Sequence, residues 1–421
     1  MTPGSQPVSP DIGVPVSLAA CYAAWQRARR GKKPSRNQLA FEARWLDHLL
    51  DLHSALRAGR WQSRRTVSFI VTHPKTREIH APDFADRIVH HVLVERLEKL
   101  YEPIFIHDSF ANRRGKGSHA AVDRLQTFLR QRDNMDNGMQ RGGWYLQLDI
   151  HNYFNSIHRP TLYAMLCRRI AQQERCGQLP PKHALALRSL CHKLLAQRTT
   201  EYQRDPSAAL KVPAHKLLRH AAPGCGLPVG NLTSQFFANV YLNALDQFVK
   251  HTLKVRHYVR YVDDFVLLAD GPQPLRDWQA QIADFLQTTL QLKLRDDAHL
   301  QPCVQGIDFL GYEVFAYHRR VRMRVVQHCR DKLQAWYQQH ARRALRPCDI
   351  AQLHALLGSY WGHFAHANSV RLRQTLFAQM PWLKTMFNLG RDAHLYVKSP
   401  RRWQAMRRRA VRQFLKPEGE T

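Results

Sequence analysis

The sequence predicts an α+β fold. Helices and an antiparallel hairpin are mixed through its middle, and everything beyond residue 316 reads as helical and basic. With 421 residues, 44% of them hydrophobic, the chain is long enough for about two or three domains with real cores.

Along the chain, Leu18–Trp25 and Leu39–Leu50 carry apolar residues at helical spacing after a short polar start. Thr66–Thr72 alternates like a strand, His73 to Thr76 makes a turn, and Arg77–His80 returns as a second strand. Helices are expected over Ala85–Leu100 and His119–Gln131, followed by a turn-rich boundary from Asp133 to Gly143. Trp144–Asp149 reads as a strand, Arg159–Ala171 and Pro181–Gln197 as helices, and the polar, basic Arg198–Pro223 as a loop or insertion. Asn231–Lys250 has Leu232, Phe236, Val240, Ala244 and Phe248 at helical spacing, with Asn231 and Thr233 available as caps. A hairpin whose tight turn carries Asp263 and Asp264 follows, then an amphipathic helix around Asp277–Leu290 and the segment Ile307–Phe315.

Charge is the loudest bulk signal: 63 Lys and Arg against 33 Asp and Glu, a formal net charge of +30. A chain this basic is expected to meet a polyanion, nucleic acid before any other. No apolar run approaches the length of a membrane span and the first residues show no signal pattern, so the expected compartment is cytoplasmic, with no membrane partner. Eight cysteines from Cys21 to Cys348 show no Cys-x-x-Cys spacing, and the 24 histidines, His257, His318 and His328 included, show no ligand spacing. That argues against a disulfide framework and a structural zinc.

Chemistry concentrates in three segments. In Arg260-Tyr-Val-Asp-Asp-Phe-Val-Leu-Leu-Ala269, two adjacent carboxylates sit between β-branched and aromatic residues. Such acids repel and resist burial, so the turn is either an ordinary Asp-Asp turn or the seat of a divalent cation. Asp149 stands where the apolar strand Leu146–Asp149 runs out into a helix start, as a second metal acid or simply a helix N-cap. Between them, Gly226-Leu-Pro-Val-Gly230 opens a helix, which lets backbone approach a ligand and favours anions.

Taken together, Asp149-Ile-His-Asn-Tyr-Phe154, Leu227-Pro-Val-Gly-Asn-Leu-Thr-Ser-Gln235 and Tyr261-Val-Asp-Asp264 resemble, in order and spacing, the motifs of reverse transcriptases. Ser109-Phe-Ala-Asn-Arg-Arg-Gly-Lys-Gly-Ser-His119 is similar to the fingers motif of prokaryotic members, and Gly306-Ile-Asp-Phe-Leu-Gly-Tyr312 to the primer-grip hairpin. The resemblance covers roughly residues 60–320. Gly-Asn-Leu-Thr-Ser-Gln most resembles the enzymes of diversity-generating retroelements and related defence-associated groups.

The resemblance implies a right-hand polymerase: an N-terminal helical extension (1–60), fingers (61–140), a palm with an antiparallel sheet (141–315), and a helical thumb with a basic tail (316–421). It implies two magnesium ions, manganese being an alternative, on Asp149 and Asp263 with Asp264 in support and the Ile150 carbonyl as a further ligand. Phe154 falls at the steric gate against ribose, with a core phenylalanine as the other reading. Arg87, Arg113, Val229 and Gln235 join it around the dNTP, although either arginine could be a solvated charge. Val229 stands where related enzymes carry glutamine, which implies low fidelity, because loss of an oriented polar contact loosens base discrimination. Gly230, Gly311, Tyr312, Trp361, Arg371 and Arg373 are implied to contact nucleic acid, with a buried aromatic helix as the alternative for Trp361 and Phe364. The segment Leu292–Pro302 departs from the family by lacking a general-acid lysine, for which Arg295 or His299 would have to substitute.

The implied partners are a structured RNA template, a primer, dNTPs and a small basic accessory protein. The implied activity is RNA-directed DNA synthesis, either in a diversity-generating retroelement or in phage defence with a non-coding RNA template. A non-catalytic RNA-binding protein would have lost its metal acids, and all three stand here. An RNA-dependent RNA polymerase is disfavoured by Phe154.

Overall fold

The computed structural model describes residues 13–31, 34–72, 76–133, 143–197, 202–203, 212–341, 343 and 345–398. The turn at 73–75, most of the turn-rich boundary, much of the 198–223 segment and the basic tail from Arg401 lie outside the described residues.

Three helices open the chain: α1 (Leu18–Arg29), α2 (Arg36–Ala43) and α3 (Trp45–Arg57). Ser17 and Ser35 cap the first two, each accepting a backbone N–H through its side chain. The single helix expected over Leu39–Leu50 is two, because Arg44 leaves helical geometry at φ −133°. Next come β1 (Val67–Val71), β2 (Arg77–Ala81), α4 (Phe84–Tyr101) and α5 (Ser118–Asp133). They are followed by β3 (Trp144–Asp149), the short α6 (Tyr153–Ser156), α7 (Arg159–Arg175), α8 (Pro181–Ala196) and β4 (Tyr202–Gln203). Then α9 (Leu232–Gln247) runs into a π-turn, and β5 (His257–Tyr261), β6 (Asp264–Ala269), α10 (Pro272–Leu290) and β7 (His299–Pro302) follow. The chain continues through β8 (Ile307–Phe309), β9 (Tyr312–Val314), β10 (Arg319–Val321), α11 (Met323–His340), α12 (Pro347–Ala365), α13 (Val370–Ala378), β11 (Phe387–Leu389) and β12 (Leu395–Val397).

The chain divides into two compact units. Residues up to 117 join 145–300 in unit 1, and residues 118–144 join 301–421 in unit 2. The segments 61–140 and 141–315 are therefore each shared between the units rather than forming one body apiece.

In unit 1, β1 and β2 pair antiparallel, Val67 opposite Ala81, and β4 adds to β1 in parallel. A second sheet has the order β5-β6-β3-β7. Its strands β5 and β6 are apolar on both faces, with Tyr258, Val259, Phe265, Val266 and Leu267 all buried, so helices cover it. α4 buries Ile88, Val89, Leu93 and Leu97 and packs against α1 and α9.

In unit 2, β8, β9 and β10 form an antiparallel sheet, and Cys329, Leu333, Leu353, Leu357, Trp361, Phe364 and Leu376 build a helical core. The all-helical reading beyond 316 is corrected here. β10 pairs with β9, and β11 pairs with β12 from Phe387 opposite Val397 to Leu389 opposite Leu395. Three-residue strands are too short for alternation to reveal, and in β10 two arginines hide the pattern.

All eight cysteines are free. Burial pushes the Cys21 thiol up to about 11 and those of Cys303 and Cys329 up to about 12, whereas Cys176 and Cys348 are exposed. Among the described residues no helix is long and apolar enough to cross a membrane.

Candidate active site

The hairpin β5–β6 pairs Tyr261 with Asp264, which leaves Val262 and Asp263 as its two turn residues. Val262 has φ 57°, a left-handed conformation that is a genuine outlier for a β-branched residue. Asp263 and Asp264 are half-buried, while β6 behind them is buried. β3 lies beside β6 in the sheet, and Gln147 on β3 donates through Nε2 to Asp264 Oδ1 at 2.9 Å.

Asp149 closes β3. Its backbone oxygen accepts from Arg295 N at 2.9 Å, His151 N donates to Lys293 O at 2.8 Å, and Ile150 bridges Leu294. The segment around Leu294 thus zips along the strand end. The Asp149 carboxylate is held by the Arg295 guanidinium at 3.0 Å, which also reaches Asp297 at 2.5 Å. Arg295 is thereby a charge partner of Asp149, and a guanidinium does not give up its proton as a general acid would. His299 is exposed on β7.

Arg260, one residue before the turn motif, is fully buried, which the sequence reading missed. Its guanidinium donates to Asp246 on α9 at 2.7 and 2.5 Å, to the Val262 carbonyl at 2.9 Å and to Ser109 Oγ at 3.1 Å. Tyr258 OH donates to the same Asp246 at 2.9 Å. The signal was present in the sequence: a charge inside an otherwise apolar strand has to find a partner.

The glycine loop packs on β2. Val229 O accepts from His80 N at 2.7 Å, and Gly230 has φ 113° with no room for a side chain, since a Cβ would stand 2.9 Å from Ile79 and 3.0 Å from the His80 carbonyl. Val229 is half-buried, as are Phe154 and Gln235. Leu227 N donates to Phe154 O at 2.9 Å, so the loop and α6 are joined through backbone. Asn231 is the N-cap of α9 but makes no side-chain cap bond, and Thr233 instead contacts His90 at 2.8 Å.

Several implied ligand contacts fall elsewhere. Arg113 turns inward, holding Glu102 at 2.8 Å and the carbonyls of Ile106 and Ser109 at 2.7 and 2.8 Å, which stabilises its own loop. Arg87 is half-buried on α4, and burial lowers its pKa from the ordinary arginine value. In unit 2, Trp361 and Phe364 belong to the core, and Trp361 Nε1 donates to Ala393 O at 3.1 Å. Arg373 is buried too and donates to the same carbonyl at 3.1 Å, whereas Arg371 is exposed. Helical spacing alone could not tell these buried positions from nucleic-acid contacts. Gly311, with Leu310, makes the two-residue turn of β8–β9, and the buried Tyr312 stacks on His363.

The donor set of Asp149, Asp263, Asp264 and the Ile150 carbonyl is all oxygen, the chemistry a hard divalent cation takes. Among the described residues no three His, Cys, Asp or Glu side chains are gathered closely enough to hold a metal. The acids lie at neighbouring strand ends, with Asp149 and Asp264 engaged by Arg295 and Gln147.

Helices around an antiparallel sheet, with Asp149 and Asp264 at the ends of neighbouring strands, place the chain in the right-hand polymerase class. It belongs to the reverse transcriptase family: the family model described as reverse transcriptase (RNA-dependent DNA polymerase) matches residues 72–314. The chain is an RNA-directed DNA polymerase. Protein YkfC of Escherichia coli is 24% identical over 326 residues, 69% of this chain and 77% of that protein. The group II intron-encoded protein LtrA of Lactococcus lactis is 22% identical over 305 residues, 57% of this chain and 44% of LtrA. The chain thus spans less than half of LtrA's length. Among solved structures, telomerase from Candida albicans with a fragment of telomeric RNA is similar at a TM-score of 0.43 and 10% identity, over 88% of this chain and 71% of that one. That likeness is too distant to bear on the site.

Proposed function

We propose that Asp149 and Asp263, with Asp264 in support, hold two divalent ions, magnesium in the first instance, for nucleotidyl transfer on an RNA template. The observation that carries this reading is the turn itself: it puts Asp263 on a strained tip, in a sheet whose neighbouring strand β3 ends in Asp149. Bound ions there would supply Lewis-acid activation of the primer hydroxyl and charge neutralisation at the pyrophosphate. The chain's own residues supply the rest. Phe154 meets the ribose and excludes a 2′-hydroxyl, Val229 faces the incoming base pair, and Arg371 with Tyr312 and the Gly311 turn contacts the template–primer. In this reading β3, β5 and β6 are palm and α11–α13 are thumb.

Primer extension on an RNA template tests it. Asp263→Ala should lower kcat roughly a thousandfold, the worth of several kcal/mol of metal stabilisation. A folded variant with wild-type extension would remove Asp263 from the metal site.

The biological role we infer is cDNA synthesis for a diversity-generating retroelement. Val229 supports it, because an apolar residue at that position leaves no polar group unpaired by a mismatch. Val229→Gln should reduce misincorporation by about tenfold, and indistinguishable error spectra would sink the low-fidelity reading. Sequencing RNA and cDNA bound to the protein in its host decides the role. Adenine-biased errors in a template repeat support diversification. Faithful product from an adjacent structured RNA, with phage protection lost in Asp263→Ala, would replace it by defence.

A further inference from the structure

We propose that Arg260 and Asp246 are positioning residues for the acid-bearing turn, a buried clip that holds Val262–Asp263 in place and ties it to the segment from Asp108 to Ala111. The inference rests on the reading that Asp263 binds metal.

Both side chains are fully buried. A buried ion pair is a poor way to gain stability, since its desolvation offsets most of the attraction and well-packed apolar residues serve as well. What apolar residues cannot supply is a rigid fork of five donors. Arg260 spends that fork in four directions: on Asp246 by two bonds, on the Val262 carbonyl, on Ser109 Oγ and, at 3.4 Å, on Asn239 Oδ1. Burial alone would lower the pKa of Arg260, but the Asp246 charge and hydrogen bonds outweigh it and raise it, so the fork stays charged.

The turn has a reason to need holding. Val262 sits at φ 57°, which costs a β-branched residue free energy that local structure does not return. The bond from Arg260 to the Val262 carbonyl acts on that residue directly. The backbone of the same arginine carries a second connection: Arg260 N donates to Asp108 O at 2.9 Å and Phe110 N donates to Arg260 O at 3.0 Å. Asn239, about two helical turns before Asp246 on α9, donates to Ala111 O at 2.6 Å and so fixes the far end of that segment. The turn, α9 and the segment from Asp108 to Ala111 therefore meet at one arginine, through its guanidinium and its backbone.

The test uses the full chain. Arg260→Lys keeps the charge but loses the fork, Asp246→Asn keeps the volume but loses the counter-charge, and Ser109→Ala removes one bond at the periphery. For each variant, folding is followed by circular dichroism and thermal unfolding. Mn²⁺ binding to the protein alone is followed by electron paramagnetic resonance, and steady-state extension gives kcat and the dNTP KM. For Arg260→Lys the clip predicts a folded protein whose kcat falls about tenfold or more, the equivalent of one lost hydrogen bond to a charged group. KM should stay within about twofold and the Mn²⁺ midpoint should rise several-fold, with Ser109→Ala moving the same way by less. An activity loss that tracks loss of folded protein, with the Mn²⁺ midpoint unmoved, assigns the pair to stability alone and overturns the proposal. Should Arg260→Lys and Asp246→Asn fail to fold, Ser109→Ala decides, and wild-type kcat and midpoint in it overturn the clip. Unchanged Mn²⁺ binding in Asp263→Ala would instead overturn the metal reading on which the clip rests.

Discussion

Two hairpins of this chain, β5–β6 in unit 1 and β8–β9 in unit 2, each turn on two residues. In β8–β9 these are Leu310 at φ 51° and Gly311 at φ 93°, a primed turn whose second residue is glycine. A Cβ on Gly311 would stand 3.1 Å from the His363 ring, and Tyr312 beside it stacks on that ring and donates to the His363 carbonyl at 2.8 Å. In β5–β6 the residues are Val262 at φ 57° and Asp263, with a buried arginine below. Both turns put a branched apolar residue, Leu310 or Val262, in the left-handed region, but the first follows it with glycine while the second follows it with Asp263 and has the Arg260–Asp246 ion pair beneath it. The contrast separates a turn shaped for folding from one that presents a side chain.

The largest expected break in that contrast is chemical. Asp263→Ala should cost roughly a thousandfold in kcat with little change in stability, whereas Gly311→Val should act on the fold. A valine at φ 93° against the His363 ring is expected to cost about 2–3 kcal/mol and to lower the thermal midpoint by roughly 5 °C or more. A midpoint within a degree of wild type would show that the turn tolerates strain as β5–β6 does.

The second difference is pH. Burial lowers the pKa of His363 below its ordinary 6.5, the neighbouring His119 and His366 lowering it further while a hydrogen bond with Gly311 opposes them. Burial, with His366 and Arg319, also lowers His119, which Asp123 opposes. The folded state thus binds fewer protons than the unfolded one. The stability these imidazoles contribute is present above about 6.5 and is lost as pH falls through and below it. Amide exchange around Tyr312, corrected for intrinsic rates, should lose protection between pH 7.5 and 5.5, while Tyr258 to Asp264 over the charged Arg260 should not. Equal loss in both hairpins would erase the distinction.

The smallest effect is Val262→Gly. Relief of about 1–2 kcal/mol of left-handed strain is offset by about 0.5–1 kcal/mol of glycine entropy. Stability in denaturant should therefore move by no more than about 1.5 kcal/mol, with faster exchange at the turn as the sharper readout.

What could be read from the sequence followed periodicity and local chemistry. β3, α4, α7, α8 and α9 lie within a few residues of their expected spans because each buries a regular apolar pattern, while β1 and β2 also lie close to theirs although the residues they bury are Ser68, Glu78 and His80. The break at Arg44 was hidden because the apolar spacing of Leu39–Leu50 continues across it. The Arg260–Asp246 pair was hidden because it joins a strand to a helix 14 residues away, and pairing of buried charges leaves no periodic trace. Arg373 was read as a nucleic-acid contact because it sits with Arg371 on a basic helix, and Trp361 was left between a nucleic-acid contact and a buried aromatic, yet both donate to the Ala393 carbonyl in the core of unit 2. The acid-bearing turn was conspicuous because it breaks local folding rules, and the clip beneath it was silent because it repairs them.

The distribution of thiols gives the protein a measuring device. Cys21, Cys191, Cys303 and Cys329 are buried, and burial raises every one of these thiols, which keeps them from reacting as thiolates. The exposed pair, Cys176 after α7 and Cys348 at the start of α12, places one handle on each unit. Brief maleimide labelling near neutral pH should mark these two first, so that the separation of the units can be followed by energy transfer as RNA and dNTP are added, without engineering a single cysteine.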